Sequence, residues 1–493
     1  MKKYMLAMGL IAATGPILES GCGGPGGHGT PLPIAPAQGT LAIFGGDSPF
    51  CGALSFTVTI TGLTLTPQSG STPVSVLSSG TELTVDFASL MDFATMLNLS
   101  KVPPGTYSSL GITLSNPQLT YMDTLTTPPS IRTVTPAISA LTVSLPLNPA
   151  VSIASDGSLA LQLDFNLLNS ITAGAGGQFT ANPTFSAAAA SASGSMGYVQ
   201  FDDLSGLVES VSTSSTQSSF TGSFTMSSPN APTFTVNVNT STSFAGVSGL
   251  GGLTPGTFVE MTAVLDANAN LVAKTVVAEA QEDAATGEAA FAGLVTAVAP
   301  PTGNAAQFTM LVQRENPDVS SRVPDFSLLT VNISSSSTTF GISAQGADFA
   351  NFAYGPNSLA VGQRVVVHGT LPSGSATASS ATARSVFLGL QSVLGNLSTN
   401  PSTPVAIASD GVDGGFTLVP CSPLFQNTPI TALANQQTIY SGLANLSSLN
   451  NPGAHFLLAK GLLFYEQSAT RYGVESWTVP AEVQVATEVH QLP

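Results

Sequence analysis

The residues able to do chemistry in this chain are few. Four histidines occur: His28, His368, His455 and His490. His28 lies in a Gly/Pro-rich stretch, and His490 is three residues from the end. His368 and His455 sit in or beside apolar runs, six and two residues after Gly362 and Gly453, so their positions are not equivalent. Alternation places them on sheet faces rather than in a ligand set. No H-E-x-x-H and no G-x-S-x-G segment is present, and a serine nucleophile would lack a convenient base. Carboxylates approach pairing at Asp202-Asp203, at Glu282-Asp283, and at Glu475 with Glu482, the groups a glycoside hydrolase would use. Adjacent strand residues point to opposite faces, so the first two pairs cannot act as acid and nucleophile. They read as solvated loop or edge charges. Asp266-Ala267-Asn268-Ala269-Asn270 begins like a calcium loop, but Leu271 and Val277 stand where Gly and Glu are needed. A hairpin turn rich in Asn and Asp is the simpler reading, and Asp410-Gly411-Val412-Asp413 is a second such turn. One polar-aromatic group remains: Arg471, Tyr472, Glu475 and Trp477, near the end of the chain. Exposed, it would suit a sugar face. Alternatively Trp477 fills a core. No catalytic residue, resident metal or cofactor is expected.

Cys22 is the other reactive position. Met1-Lys2-Lys3 is a short positive n-region, and Tyr4 to Leu18 is apolar. That stretch is shorter than the roughly 20 residues a spanning helix needs and reads as a secretory signal, residues 1–21. Ser20-Gly21-Cys22 resembles the end of a bacterial lipobox, with Glu19 where an apolar residue is expected. The alternative is an ordinary signal with an incidental Cys. Residues 22–38 are a Gly/Pro-rich tether of the kind an anchor needs. The expectation is an exported protein held at the outer membrane or cell surface through lipid on Cys22. Cys51 and Cys421 are 370 positions apart in different modules, which favours two buried or half-buried thiols over a bond. With no C-x-x-C pair, neither zinc nor a redox dithiol is supported.

Composition narrows the function classes. The chain has 493 residues, 43% hydrophobic and only 8% charged, against about 25% charged in ordinary soluble domains. Ser, Thr, Asn and Gln must therefore supply the wet faces, as suits antiparallel sheets. Net charge is −16 with no basic stripe, so nucleic acid is not an expected partner.

The elements that must position these residues repeat. Gly206-Leu207-Val208 and Gly293-Leu294-Val295 open two copies of one order of strands. Phe224-Thr225-Met226 and Phe308-Thr309-Met310 follow, then Val236-Asn237-Val238 and Val331-Asn332-Ile333. Turns at Gly256 and Gly362 precede apolar runs, and Ala273-Lys274-Thr275-Val276 and Ala383-Arg384-Ser385-Val386 close each copy. A weaker third copy runs through Gly395-Asn396-Leu397 and Phe416-Thr417-Leu418. Small β modules in series result. Upstream, Ser55 to Ile60 and Leu159 to Phe165 alternate with period two. Gly45 to Pro49 reads as a turn, and Val85, Phe87, Leu90, Phe93, Ala94 and Leu97 give Val85 to Leu99 the spacing of one short helix. The organisation is an antiparallel sandwich of about eight strands at 39–186, a linker at 187–197, and barrels at 198–285, 286–390 and 391–493.

Asp47-Ser48-Pro49, the segment near Asp86 and Pro104-Gly105-Thr106-Tyr107 resemble an exported bacterial domain of unknown function, over about Gly39 to Phe185. The repeats resemble a second uncharacterised bacterial family, over Gly206 to Leu388 with a diverged copy beyond. Those resemblances imply OB-like barrels and a lipoprotein context, and carry no catalytic residue. The expected fold is all-β, a sandwich with one short helix followed by three OB-like barrels. The expected function is a non-catalytic, lipid-anchored envelope protein for display, docking or binding. Its partners are the membrane, through the anchor, and envelope polysaccharide or another envelope protein. The alternatives are a glycan-binding surface protein and, more remotely, a polysaccharide hydrolase.

Overall fold

Period-two burial organises the first sheets. Along Ser55–Pro67 the residues Phe56, Val58, Ile60, Leu63 and Leu65 point inward and are fully buried. The structure, a computed structural model, describes residues 37–492 apart from short stretches, the longest being 279–287, 343–353 and 467–480. In the sandwich one sheet runs Phe185–Ala189, Ser158–Asn166, Gly39–Ser48, Thr95–Val102. The other is built on the antiparallel pair Ser55–Pro67 and Gly105–Asp123, with Thr142–Ile153 and Ser130–Val134 along the latter. Their common core holds a phenylalanine stack: Phe165 lies 5.5 Å from Phe56, 4.7 Å from Phe87 and 4.5 Å from Phe185. Such pairs add about 0.5–1.5 kcal/mol each beyond the burial itself. Tyr107, of the Pro-Gly-x-Tyr segment, is buried and its hydroxyl donates to the Pro103 carbonyl at 2.6 Å.

Several sandwich expectations change. Gly45 to Ser48 is not a turn but the end of strand Gly39–Ser48. That strand is paired on both sides, antiparallel with Thr95–Val102 and parallel with Ser158–Asn166, so the sandwich is not purely antiparallel. Val85 to Leu99 is not a helix. It is strand Leu83–Asp86, a 3-10 turn Phe87–Leu90 and strand Thr95–Val102. The short α-helix among the described residues is Leu167–Ser170, where the Asn166 side chain accepts from the Asn169 amide. Among the described residues, thirteen extended segments lie between Gly39 and Ala189, rather than about eight.

Three barrels follow, each of five strands in one order. The first uses Val199–Ser212, Gly222–Ser227, Phe234–Val238, Phe258–Leu265 and Leu271–Ala278, closed by parallel pairing of its third and fifth strands. The second uses Glu288–Ala299, Gln307–Glu315, Leu328–Asn332, Arg364–Thr370 and Ser380–Leu388, closed the same way. The third uses Gln391–Leu397, Gly414–Pro420, Ile430–Ala434, Phe456–Glu466 and Ala481–Leu492. This is the OB-like arrangement.

The repeated residues have physical reasons. A Cβ on Gly206, Gly293 or Gly395 would run into the carbonyl of Ser227, Leu311 or Val419 on the second strand of its barrel, so only glycine fits. The Asn of each Val-Asn step spans the closing seam: Asn237 donates to the Leu271 carbonyl at 3.3 Å and Asn332 to that of Ala381 at 3.2 Å. A threonine in each barrel donates to a fifth-strand carbonyl: Thr242 to Ala273 and Thr338 to Ala383 at 2.8 Å, and Thr438 to Ala486 at 2.9 Å. Gly256 and Gly362 have φ near +88° and +87°, which favours glycine before the fourth strand.

Ala37 to Pro493 forms a single unit, because the cores fuse. Ala42, Phe44, Met96 and Ala160 of the sandwich join the core of the first barrel. Leu462 and Phe464 of the third barrel join that of the second. Leu54, Leu311 and Leu424 make a small core of their own from the sandwich and the last two barrels. Beside it Cys51 and Cys421 are disulfide-bonded, Cα to Cα 5.4 Å. The expectation of two separate thiols is therefore wrong. The third barrel folds back on the sandwich and brings the end of strand Gly414–Pro420 to the loop before Ser55.

Candidate functional site

A charged junction forms where the modules meet. The chain has 11 lysines and arginines, and three of them, Arg314, Arg364 and Lys460, converge around Phe93 or beside it. Phe93 sits between the 3-10 turn Phe87–Leu90 and strand Thr95–Val102. The Lys460 ammonium lies 4.5 Å and the Arg364 guanidinium 5.4 Å from its ring centroid, both within cation-π range. Strand Phe456–Glu466 presents Lys460, 4% exposed, inside an otherwise apolar run. Its Nζ is 2.7 Å from Asp202 Oδ2 on the first barrel and 3.3 Å from Glu488 Oε1 on the third. Glu488 also meets His490 Nε2 at 3.2 Å. That hydrogen bond, with help from Lys460, holds the Glu488 carboxyl below its ordinary range despite burial. Gln391 of the third barrel accepts from the Arg364 amide at 2.7 Å. Gln363, completely buried, donates to the Leu463 carbonyl at 2.8 Å.

Asp86 supplies a half-buried acid. It ends strand Leu83–Asp86, accepts from the Phe56 amide at 2.8 Å through Oδ1, and meets Gln313 Nε2 at 3.4 Å through Oδ2. Burial pushes its pKa up from 3.8 to about 6, against the Phe56 hydrogen bond and the charge of Arg364. An acid raised on folding holds its proton more tightly in the folded state. Its contribution to stability is therefore full below 3.8 and is lost as pH rises through about 6. Asp86→Asn should flatten stability against pH across that window and raise stability above it by about 2 kcal/mol, discounted for partial exposure. Denaturant unfolding from acid to neutral pH checks this; a slope unchanged in the variant would remove Asp86 as its source.

A chamber of about 190 Å³ opens between the sandwich and the first two barrels. Its walls are mostly apolar, with Phe93, Met96, Leu204, Phe258 and Phe326 among them, and Asp86, Gln313 and Arg314 reach into it. Arg314 Nη1 donates to Ser205 Oγ at 2.6 Å across the two barrels. Smaller spaces adjoin at Phe93 and Arg364, one of them lined by the disulfide.

The residues expected from sequence are elsewhere or outside view. Arg471, Tyr472, Glu475 and Trp477 lie outside the described residues, as do Cys22, Glu282, Asp283, Asp410 and Asp413. Asp202 is an ion-pair partner of Lys460 rather than half of an acid pair. Asp266 accepts from the amides of Asn268 and Asn270 at 2.8 Å, and its carboxylate serves the hairpin turn. His455 Nδ1 pairs with Gln491 Oε1 at 3.2 Å. Among the described residues no three His, Cys, Asp or Glu side chains gather as a metal site would. The junction residues were missed. The signal for them was a lone lysine within Leu457-Leu458-Ala459-Lys460-Gly461-Leu462-Leu463, since an unpaired charge is not tolerated in a core.

The molecule is thus a β-rich protein built of uncharacterised domains. A domain of unknown function, DUF4382, matches residues 38–183. A second domain of unknown function, DUF5666, matches residues 205–277, within the first barrel. No curated protein matches the chain. Among solved structures, Drosophila Unr CSD456 aligns over 59% of this chain and 97% of its own, at 10% identity and a TM-score of 0.14.

Proposed function

We propose that the protein is exported, carries lipid on Cys22, and serves as a non-catalytic envelope protein that docks its partners through β modules. The observation that carries this reading is the Cys51–Cys421 disulfide. Bonds of that kind persist in oxidising compartments outside the cytosol. The tether at residues 22–38 and the signal-like start agree with it. Arg314, Arg364 and Lys460 spend their charge on internal contacts, which leaves little basic surface for nucleic acid.

Cys22→Ser should move the protein from the membrane fraction to the soluble exported fraction. The wild type should take up labelled palmitate and the variant should not. Thiol labelling after extraction under denaturing conditions should find Cys51 and Cys421 protected until a reductant is added. Membrane retention of the variant would end the anchor reading, and free thiols in the native protein would end the export reading.

A further inference from the structure

We propose that the chamber between the sandwich and the first two barrels is a binding site for a small uncharged amphipathic molecule, one or two rings carrying a single hydroxyl or N–H donor. Three observations lead there. The space, about 190 Å³, exceeds the ~150 Å³ of an engineered cavity that takes up benzene. Aromatic and methionine side chains from three modules face into it: Phe93 and Met96, Phe258, and Phe326. Such walls with a few convergent polar groups are what small-ligand sites present.

The third observation sets the ligand's charge and its donor. Asp86 accepts from the Phe56 and Ala88 amides and the Ser55 hydroxyl, while Gln313 meets its Oδ2 at 3.4 Å, the long limit of a hydrogen bond. A ligand donor entering beside Gln313 would exchange that long contact for a shorter one. Both signs of charge line the same space: Asp86, Glu260 and Asp325 against Arg314 and Arg364. An anion would meet the carboxylates and a cation the guanidinium groups, and either would be desolvated on entry. A neutral donor avoids both costs. Water held against the apolar walls would be displaced with a gain.

1-Naphthol fits this description: neutral, two fused rings and one hydroxyl, with a fluorescence that reports binding. The oxidised full-length chain carrying Cys22→Ser, which removes the need for detergent, should bind it saturably at one site. The sulfonated analogue 1-naphthol-4-sulfonate should bind about tenfold more weakly or worse, the discrimination expected when one group is misplaced in a pocket. Ala94→Phe, a wall substitution, should weaken binding of the neutral probe by about tenfold. Thr84→Phe tests the same from an exposed position of the lining, at the loss of one hydroxyl contact with Thr59, and thermal melting of each variant verifies the fold. Absent saturation, or affinity unchanged in a folded Thr84→Phe and Ala94→Phe, overturns the site. Tighter binding of the sulfonate overturns the neutral class.

Discussion

Replacing both Cys51 and Cys421 by serine should lower stability by about 4 kcal/mol and split thermal unfolding into two transitions. The bond spans a sequence separation of 370. Loop-closure entropy for that length gives about 6 kcal/mol, and measured losses of native bonds run at about 2–5. What holds the third barrel afterwards is the small core of Leu54, Leu311 and Leu424, the packing of Leu462 and Phe464 on the second barrel, and the junction ion pairs. These are enough to keep it docked at low temperature. They are not enough to couple its melting to that of a sandwich whose core is separate and rich in phenylalanine. Calorimetry with and without reductant measures it, and limited proteolysis on heating should release the third barrel first. A shift within about 0.5 kcal/mol, the range of an ordinary surface substitution, would mean that the bond closes an interface already fixed by packing.

How much of this was legible in the sequence follows from what each residue is needed for. Gly206, Gly293 and Gly395 could be read because a carbonyl approaches each one so closely that no other residue fits; the constraint is local and repeats. Asn237 and Asn332 recur because each bonds the fifth strand of its barrel; the threonines at 242, 338 and 438 bond the same strand but were not read from the sequence. The barrels were accordingly visible. The segment from Val85 to Leu99 was not, because two different causes produced one spacing. Val85, Phe87, Leu90 and Leu97 do face the sandwich core, but across a strand, a 3-10 turn and a second strand. Phe93, which helical periodicity assigned to that same face, lies instead between Arg364 and Lys460. The junction itself depends on how modules distant in sequence pack together, and no window along the chain carries that. The same holds for Cys51 and Cys421: their separation argued against a bond only while the modules were imagined in a row.

Lys460→Met should cost about 3–5 kcal/mol, the penalty for breaking one partner out of a buried ion pair. The side chain of Lys460 is 5% exposed and those of Asp202 and Glu488 are 13% and 27% exposed. Removing the ammonium leaves two carboxylates in a poorly hydrated space, Asp202 with the Gln200 amide at 2.6 Å and Glu488 with His490. The effect should depend on pH. Glu488 has a lowered pKa, so the stability it contributes is present above its unfolded value and lost as pH falls through the folded one. Without Lys460 that lowering weakens, and the variant should recover part of its deficit in acid. The double variant Asp202→Asn with Lys460→Met should recover part of the loss at neutral pH, since a neutral amide is cheaper to bury than an unpaired carboxylate. A double-mutant cycle by denaturant unfolding isolates the coupling, expected at about 1–3 kcal/mol for residues in one network. A single-variant loss of less than about 1 kcal/mol, the value of a solvent-exposed pair, would show that water reaches the junction. Lys460 would then be a satisfied surface charge, and the first and third barrels would owe their contact to apolar packing alone.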